Sequence, residues 1–277
     1  MRASRRMRAS WFETALKKRL LTMRDWIVVS AGLLPMAALQ PDLNHTLANS
    51  MTAPLLVFDL DGTLVDSAPD LVGALNFVLD REGLPPVPVA SARKLIGAGA
   101  RALIERGLEQ EGRSKTPDEI SALTDDFIAF YAEHIADETR PFDGVLDALD
   151  ELSGQGFNFA VCTNKLEWLS KRLLDRLGMS ERFAAICGAG TFGVQKPDPV
   201  ILRETIRSAG GVLSSAIMIG DSGPDIGAPR RAGVPVIGVD FGYTPVSIEE
   251  LKPDCLISHM EKLSGAVAEI IARRNGG

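Results

Sequence analysis

The chain has 277 residues, 45% of them hydrophobic, with 30 Lys and Arg against 36 Asp and Glu for a net charge of −6. That is ample apolar material for one large core or two modest ones, which excludes a chain disordered throughout. The charge is uneven: residues 1–50 carry eight basic and three acidic side chains and the rest 22 and 33, so the body stands at about −11 and is a poor partner for nucleic acid.

Residues 1–25 are basic, and 27–39 is an apolar stretch broken by Gly32 and Pro35. It is too short to span a bilayer, so no membrane partner is expected. It has the charge and length of a signal peptide or an amphipathic targeting piece, but no clean small-x-small cleavage site follows it. Met51-Thr-Ala-Pro leads straight into an apolar run. Met51 is therefore the expected true start, and residues 1–50 the expected poorly packed extension.

The run LLVFDLDGTLVDS comes next: a short buried-type strand over 55–58, then Asp59 and Asp61, then Gly62, where the backbone can turn away. In open α/β sheets ligands bind at that end of a strand. Two acids one residue apart repel unless a cation or a proton separates them, so a divalent metal site is the natural explanation. A strand running into an ordinary DG turn with solvated acids is the bland alternative.

About ninety residues separate this strand from the next apolar run, far more than a normal crossover. Helical spacing of apolar residues predicts helices over 71–81, 90–96, 100–108 and 117–136, with no comparable strand between 65 and 141. A helical cap over 67–140 is expected, joined by linkers near 66–69 and 139–142. Arg101 follows the Gly97-Ala98-Gly99-Ala100 turn and is a candidate contact to an anionic substrate, or simply a surface arginine.

Beyond it, apolar runs at 157–162, 183–187, 216–219, 234–239 and 255–257 alternate with helical patterns. This predicts an α/β fold, a Rossmann-like parallel sheet with right-handed crossovers, formed by 51–66 and 141–277. Three strand ends carry chemistry. Thr163 and Asn164 bring a hydroxyl and an amide able to hold phosphate oxygens. Lys196, in GVQKPDP, is a point cation on a proline-stiffened loop. AIMIGDSGPD ends a strand with Asp221 and adds Asp225 four residues on, hard oxygen donors that suit Mg²⁺. For Asp225 a helix N-cap and a metal role stand side by side.

Cys162, Cys187 and Cys255 form no CxxC pair and read as reduced residues of a cytoplasmic protein. His45, His134 and His259 fall in no ligand or triad spacing.

With DLDGT, TN, KP and GDSxxD in this order, residues 53–277 resemble the haloacid dehalogenase-like hydrolase superfamily. Within it they are most similar to bacterial phosphoglycolate phosphatases, on FDLDGTLVDS, LIGAGARALIERGL, PFDGV and GDSGPDIGAPRRAG. The resemblance implies a Mg²⁺-dependent phosphatase with Asp59 as nucleophile and Asp61 as acid and base. The metal would be held by the Asp59 and Asp221 side chains, the Asp61 carbonyl and Asp225. Thr163, Asn164 and Lys196 would hold the phosphoryl oxygens, and Arg101 the rest of the substrate. An acid at 61 points to phosphate esters rather than halides, since an alkoxide needs a proton. The implied partner is a small phosphorylated metabolite, best 2-phosphoglycolate, with sugar phosphates, nucleotides or pyrophosphate as alternatives; a homodimer is compatible. A β-phosphoglucomutase-like enzyme would carry an acid where Gly220 stands. A fold kept for binding alone is opposed by intact Asp59, Asp61, Lys196 and Asp221. Pro229 departs from the family pattern, tolerable if its helix begins near Asp225.

Overall fold

The computed structural model describes residues 26–29, 32–35 and 54–275. β1 (Trp26–Val29) and β2 (Gly32–Pro35) form an antiparallel pair. The expectations of a start at Met51 and of a poorly packed extension otherwise lie outside the described residues. A separate compact unit runs from Met51 to Gly277.

At its centre is β3 (Leu55–Phe58), buried at all four positions. A strand covered on both faces reads as continuous apolar sequence, as this one does. Its odd and even residues enter different cores: Leu56 and Phe58 pack with Val161 and Ile219, while Leu55 and Val57 pack with Cys162 and Met218. β3 lies between β6 (Asn158–Leu166) and β8 (Ala216–Gly220), both parallel to it. With β7 (Ala185–Ala189), β9 (Val236–Val239) and β10 (Cys255–Ile257), the sheet order is β10-β9-β8-β3-β6-β7. Chain order reverses about β3, which puts its carboxyl end at the crevice where such sheets take ligands.

The insertion is helical: α1 (Ala68–Arg81), α2 (Val89–Ala92), α3 (Ala100–Gln110) and α4 (Pro117–Glu133). Thr116 starts α4 by accepting the Glu119 N–H at 3.3 Å, while Glu119 accepts the Thr116 N–H at 2.8 Å, a reciprocal cap. The single helix predicted over 90–96 is instead α2 and a 3₁₀ turn at Arg93–Leu95. Where the insertion leaves and rejoins the sheet, β4 (Val65–Asp66) and β5 (Arg140–Pro141) pair antiparallel.

Two further expectations are corrected. β6 does not stop at Cys162; it continues through Thr163 and Asn164 to Leu166, because β7 goes on pairing as far as Ala189 after a register shift. α8 (Gly223–Ala232) begins at Gly223, so Pro229 lies beyond the first turn, where its missing N–H leaves the Asp225 carbonyl without its helical partner. The core helices also include α5 (Val145–Gly154), α6 (Glu167–Arg176), α7 (Pro199–Ser208) and α9 (Leu263–Asn275). The three cysteines are free, and burial pushes the Cys162 thiol up to about 12. Among the described residues no helix is long and apolar enough to cross a membrane.

Candidate active site

Asp59 is the first residue past β3, and its N–H donates to the Ile219 carbonyl at 2.9 Å, fixing it to the neighbouring strand β8. Gly62 then turns the chain with φ +87°; a Cβ there would stand 2.4 Å from Asp221 Oδ2, so only glycine lets the turn pass so close. Asp221 follows β8, and its Oδ2 accepts the Tyr243 N–H at 2.7 Å. A Cβ on Gly220 would stand 2.3 Å from the Asp225 Cβ, so the second acid of a mutase has no room here. Asp225 is not the N-cap of α8; that residue is Ser222, whose N–H and hydroxyl donate to Asp225 Oδ2 at 3.1 and 2.5 Å.

Oxygens of Asp59, Asp221 and Asp225 all lie within 4.8 Å of one another, and the three residues are 8, 2 and 0% exposed. One buried cation answers them: Lys196 Nζ lies 2.7 Å from Asp59 Oδ1 and 2.6 Å from Asp225 Oδ1. Beside that ammonium, Asp59 Oδ1 is buried with no further donor among the described residues. Burial, then the Asp225 charge, lift the Asp59 carboxyl to about 7 against the pull of Lys196. Burial, then Asp225 and Asp59, lift Asp221 as well. For Lys196 burial opposes the charge, but Asp225 and Asp59 outweigh it and hold the ammonium above its ordinary range. Three buried carboxylates against one ammonium fit a hard divalent cation.

Asp61 is held apart from this cluster. Both its oxygens meet Lys165 Nζ, at 2.9 and 3.0 Å, and Ser67 Oγ donates to Oδ1 at 2.5 Å. Thr163 is buried, its Oγ1 accepting the Lys165 N–H at 3.2 Å. Asn164 is turned to the backbone: its Oδ1 accepts the Lys196 N–H at 2.8 Å and its Nδ2 donates to the Lys196 carbonyl at 3.1 Å. Arg101 has 53% of its side chain exposed and its Nε on Glu105 at 2.9 Å.

A cavity of about 370 Å³ joins sheet edge and insertion. Asp59, Asp61, Thr163, Asn164 and Lys165 border it from the core, Arg101 and Tyr131 from the helices. Lys196, Asp221 and Asp225 are not among its lining. Sequence reasoning passed over Lys165, although a cation directly after Thr163-Asn164 was a visible sign. Ser67, Tyr131 and Tyr243 carry no such local sign. The Tyr243 hydroxyl donates to Asp66 Oδ1 at 2.6 Å and accepts the Ala68 N–H at 3.1 Å, so one residue braces both Asp221 and the start of the insertion.

The model of the haloacid dehalogenase-like hydrolases matches residues 56–239, and the chain belongs to that family. It is a hydrolase related to bacterial phosphoglycolate phosphatases. A protein of that name from Mesorhizobium japonicum is 43% identical over 82% of this chain and 100% of its own length. One from Caulobacter vibrioides is 45% identical over 76% of this chain and 88% of its own. Among solved structures, a predicted phosphoglycolate phosphatase from Haemophilus somnus is 30% identical with a TM-score of 0.72, covering 77% of this chain and 97% of the other.

Proposed function

We propose that this hydrolase is a Mg²⁺-dependent phosphomonoesterase that acts through a phosphorylated Asp59, with 2-phosphoglycolate as its substrate. The observation that carries the reading is the Asp59 carboxylate itself. It borders the cavity and shares a buried acid cluster with more negative charge than its lysine can offset. The named relatives support the choice of ester. In this reading 67–140 is the cap, 51–66 and 141–277 the core, and the protein works in the reducing cytoplasm that its free cysteines suit.

The Asp59 and Asp221 carboxylates, with the Asp61 carbonyl and Asp225, would hold Mg²⁺, which would supply the positive charge that lets an anionic nucleophile approach an anionic ester. Asp59 attacks phosphorus, and the departing alkoxide takes a proton from Asp61. Asp61 then removes a proton from the water that frees phosphate from Asp59. Lys196 offsets charge on the phosphoryl oxygens as it develops, and the Thr163 hydroxyl donates to one of them. Asn164 acts indirectly, by holding the Lys196 backbone in place. Arg101, which borders the cavity, is the candidate contact to the rest of the substrate once it leaves Glu105.

A panel of phosphate esters, assayed for phosphate release with Mg²⁺ and again with a chelator, tests this. We expect chelation to abolish release and 2-phosphoglycolate to show the highest kcat/KM. A hexose phosphate, a nucleotide or pyrophosphate with a higher value would refute the substrate, and silence on all of them the activity.

A further inference from the structure

The groups described so far handle the phosphoryl end of an ester, but the cavity also has a wall that none of them uses. Lys165 borders it with only 5% of its side chain exposed, its ammonium 4.5 Å from the centroid of the Tyr131 ring. Both Asp61 oxygens accept from this ammonium, and its remaining neighbour is the face of the Tyr131 ring. Tyr131, on α4, is 1% exposed and borders the same cavity, and its hydroxyl has no hydrogen-bond partner among the described residues. Burial, then the Asp61 and Asp70 charges, push its pKa well up, so the hydroxyl remains a donor. A buried donor left unmade is destabilising, which marks Tyr131 Oη as waiting for an acceptor. A cation over the ring face and a neutral donor on that same ring, on an otherwise largely apolar wall, suit a carboxylate, whose two oxygens can take one each. Arg101, half in solvent and paired with Glu105, lacks that setting.

We propose that Lys165 Nζ and Tyr131 Oη form the subsite for a carboxylate on the leaving group of the substrate, and that a carboxylate seated there draws Lys165 away from Asp61. The inference rests on the phosphomonoesterase reading above and deepens it. While Lys165 and Ser67 hold both its oxygens, Asp61 is not free to reach a leaving-group oxygen. A substrate that brings its own anion gives Lys165 a replacement partner and sets Asp61 loose next to the bond to be broken. An ester without the carboxylate leaves Asp61 tied, so selectivity appears in kcat as well as KM.

The test compares 2-phosphoglycolate with ethyl phosphate, which differ only in a carboxylate against a methyl group. For the wild type the kcat/KM ratio of the two is expected to be about 100 or more, and Lys165→Met should bring it down about 100-fold. Tyr131→Phe, which removes one oxygen and keeps the ring, should lower the ratio about five- to tenfold, and serves should Lys165→Met fail to fold. Both variants slowing the two esters equally, with the ratio unchanged, would make these residues structural and overturn the subsite. A wild type that treats the two esters alike would overturn it too while leaving the phosphatase reading standing. A wild type inert on both would remove that reading and the subsite with it.

Discussion

The acid cluster at the ends of β3 and β8, a floor from which only Asp59 reaches the cavity, and the wall formed by Asp61 and Lys165 are built on opposite principles. On the floor, Asp59, Asp221 and Asp225 are pinned by the ends of strands and by backbone N–H groups, and outnumber Lys196 three to one. On the wall, Asp61 and Lys165 are matched one to one and held by side chains alone. An excess of buried charge calls for a counter-ion from outside, whereas a balanced pair admits a ligand only by exchange. The floor is therefore a rigid receptor for a cation and a phosphoryl group, and the wall a place where partners can be swapped.

Asp59→Asn breaks the floor hardest. We expect kcat to fall about 10⁴-fold or more, because a neutral amide is no nucleophile. Folding should survive, as checked by a melting curve.

The next effect sharpens the contrast through pH. Asp59, raised to about 7, and Asp221, also raised, favour the fold when protonated, so their contribution is present at low pH and lost as pH rises through their folded-state values. Metal-free protein should thus lose stability as pH rises from about 4 to about 7 relative to Asp59→Asn. Mg²⁺ at a hundred times its Kd should restore about 2.7 kcal/mol at pH 8, roughly 5–10 °C in Tm, and much less at pH 5. A Tm indifferent to Mg²⁺ at both pH values would break the account of the floor.

Asn164→Ala removes both side-chain bonds to the Lys196 backbone. About tenfold in kcat and about 1–2 kcal/mol of stability should go with it, read by assay and denaturant titration. Arg101→Ala should change kcat/KM for 2-phosphoglycolate less than about threefold, as expected of an exposed i,i+4 pair. A large drop would move substrate recognition away from Lys165.

Most of the floor was legible in the sequence, for a physical reason: Asp59 and Asp221 each follow an apolar strand, and strand end, turn and acid are neighbours along the chain. Asp59 and Asp221 could be placed by reading fewer than ten residues around each, and on the wall Asp61 alone could be placed the same way. The rest of the wall could not be read that way. Lys165 meets Asp61 104 positions away, and Tyr131 comes from a helix whose apolar face looks like core packing. Asn164 was read as a phosphate contact because its partner, a backbone amide and carbonyl 32 residues on, leaves no trace in residue type. The extent of β6 was missed because pairing with β7, not its own composition, carries it past Cys162.

The central claim is that phosphate passes through Asp59. Rapid acid quench of the Mg²⁺-loaded enzyme turning over ³²P-labelled 2-phosphoglycolate, followed by peptide mapping, tests it most directly. We predict a hydroxylamine-sensitive label on Asp59 that appears within one turnover and is absent from Asp59→Asn. An active preparation that carries no label, or carries it on another residue, would contradict the account.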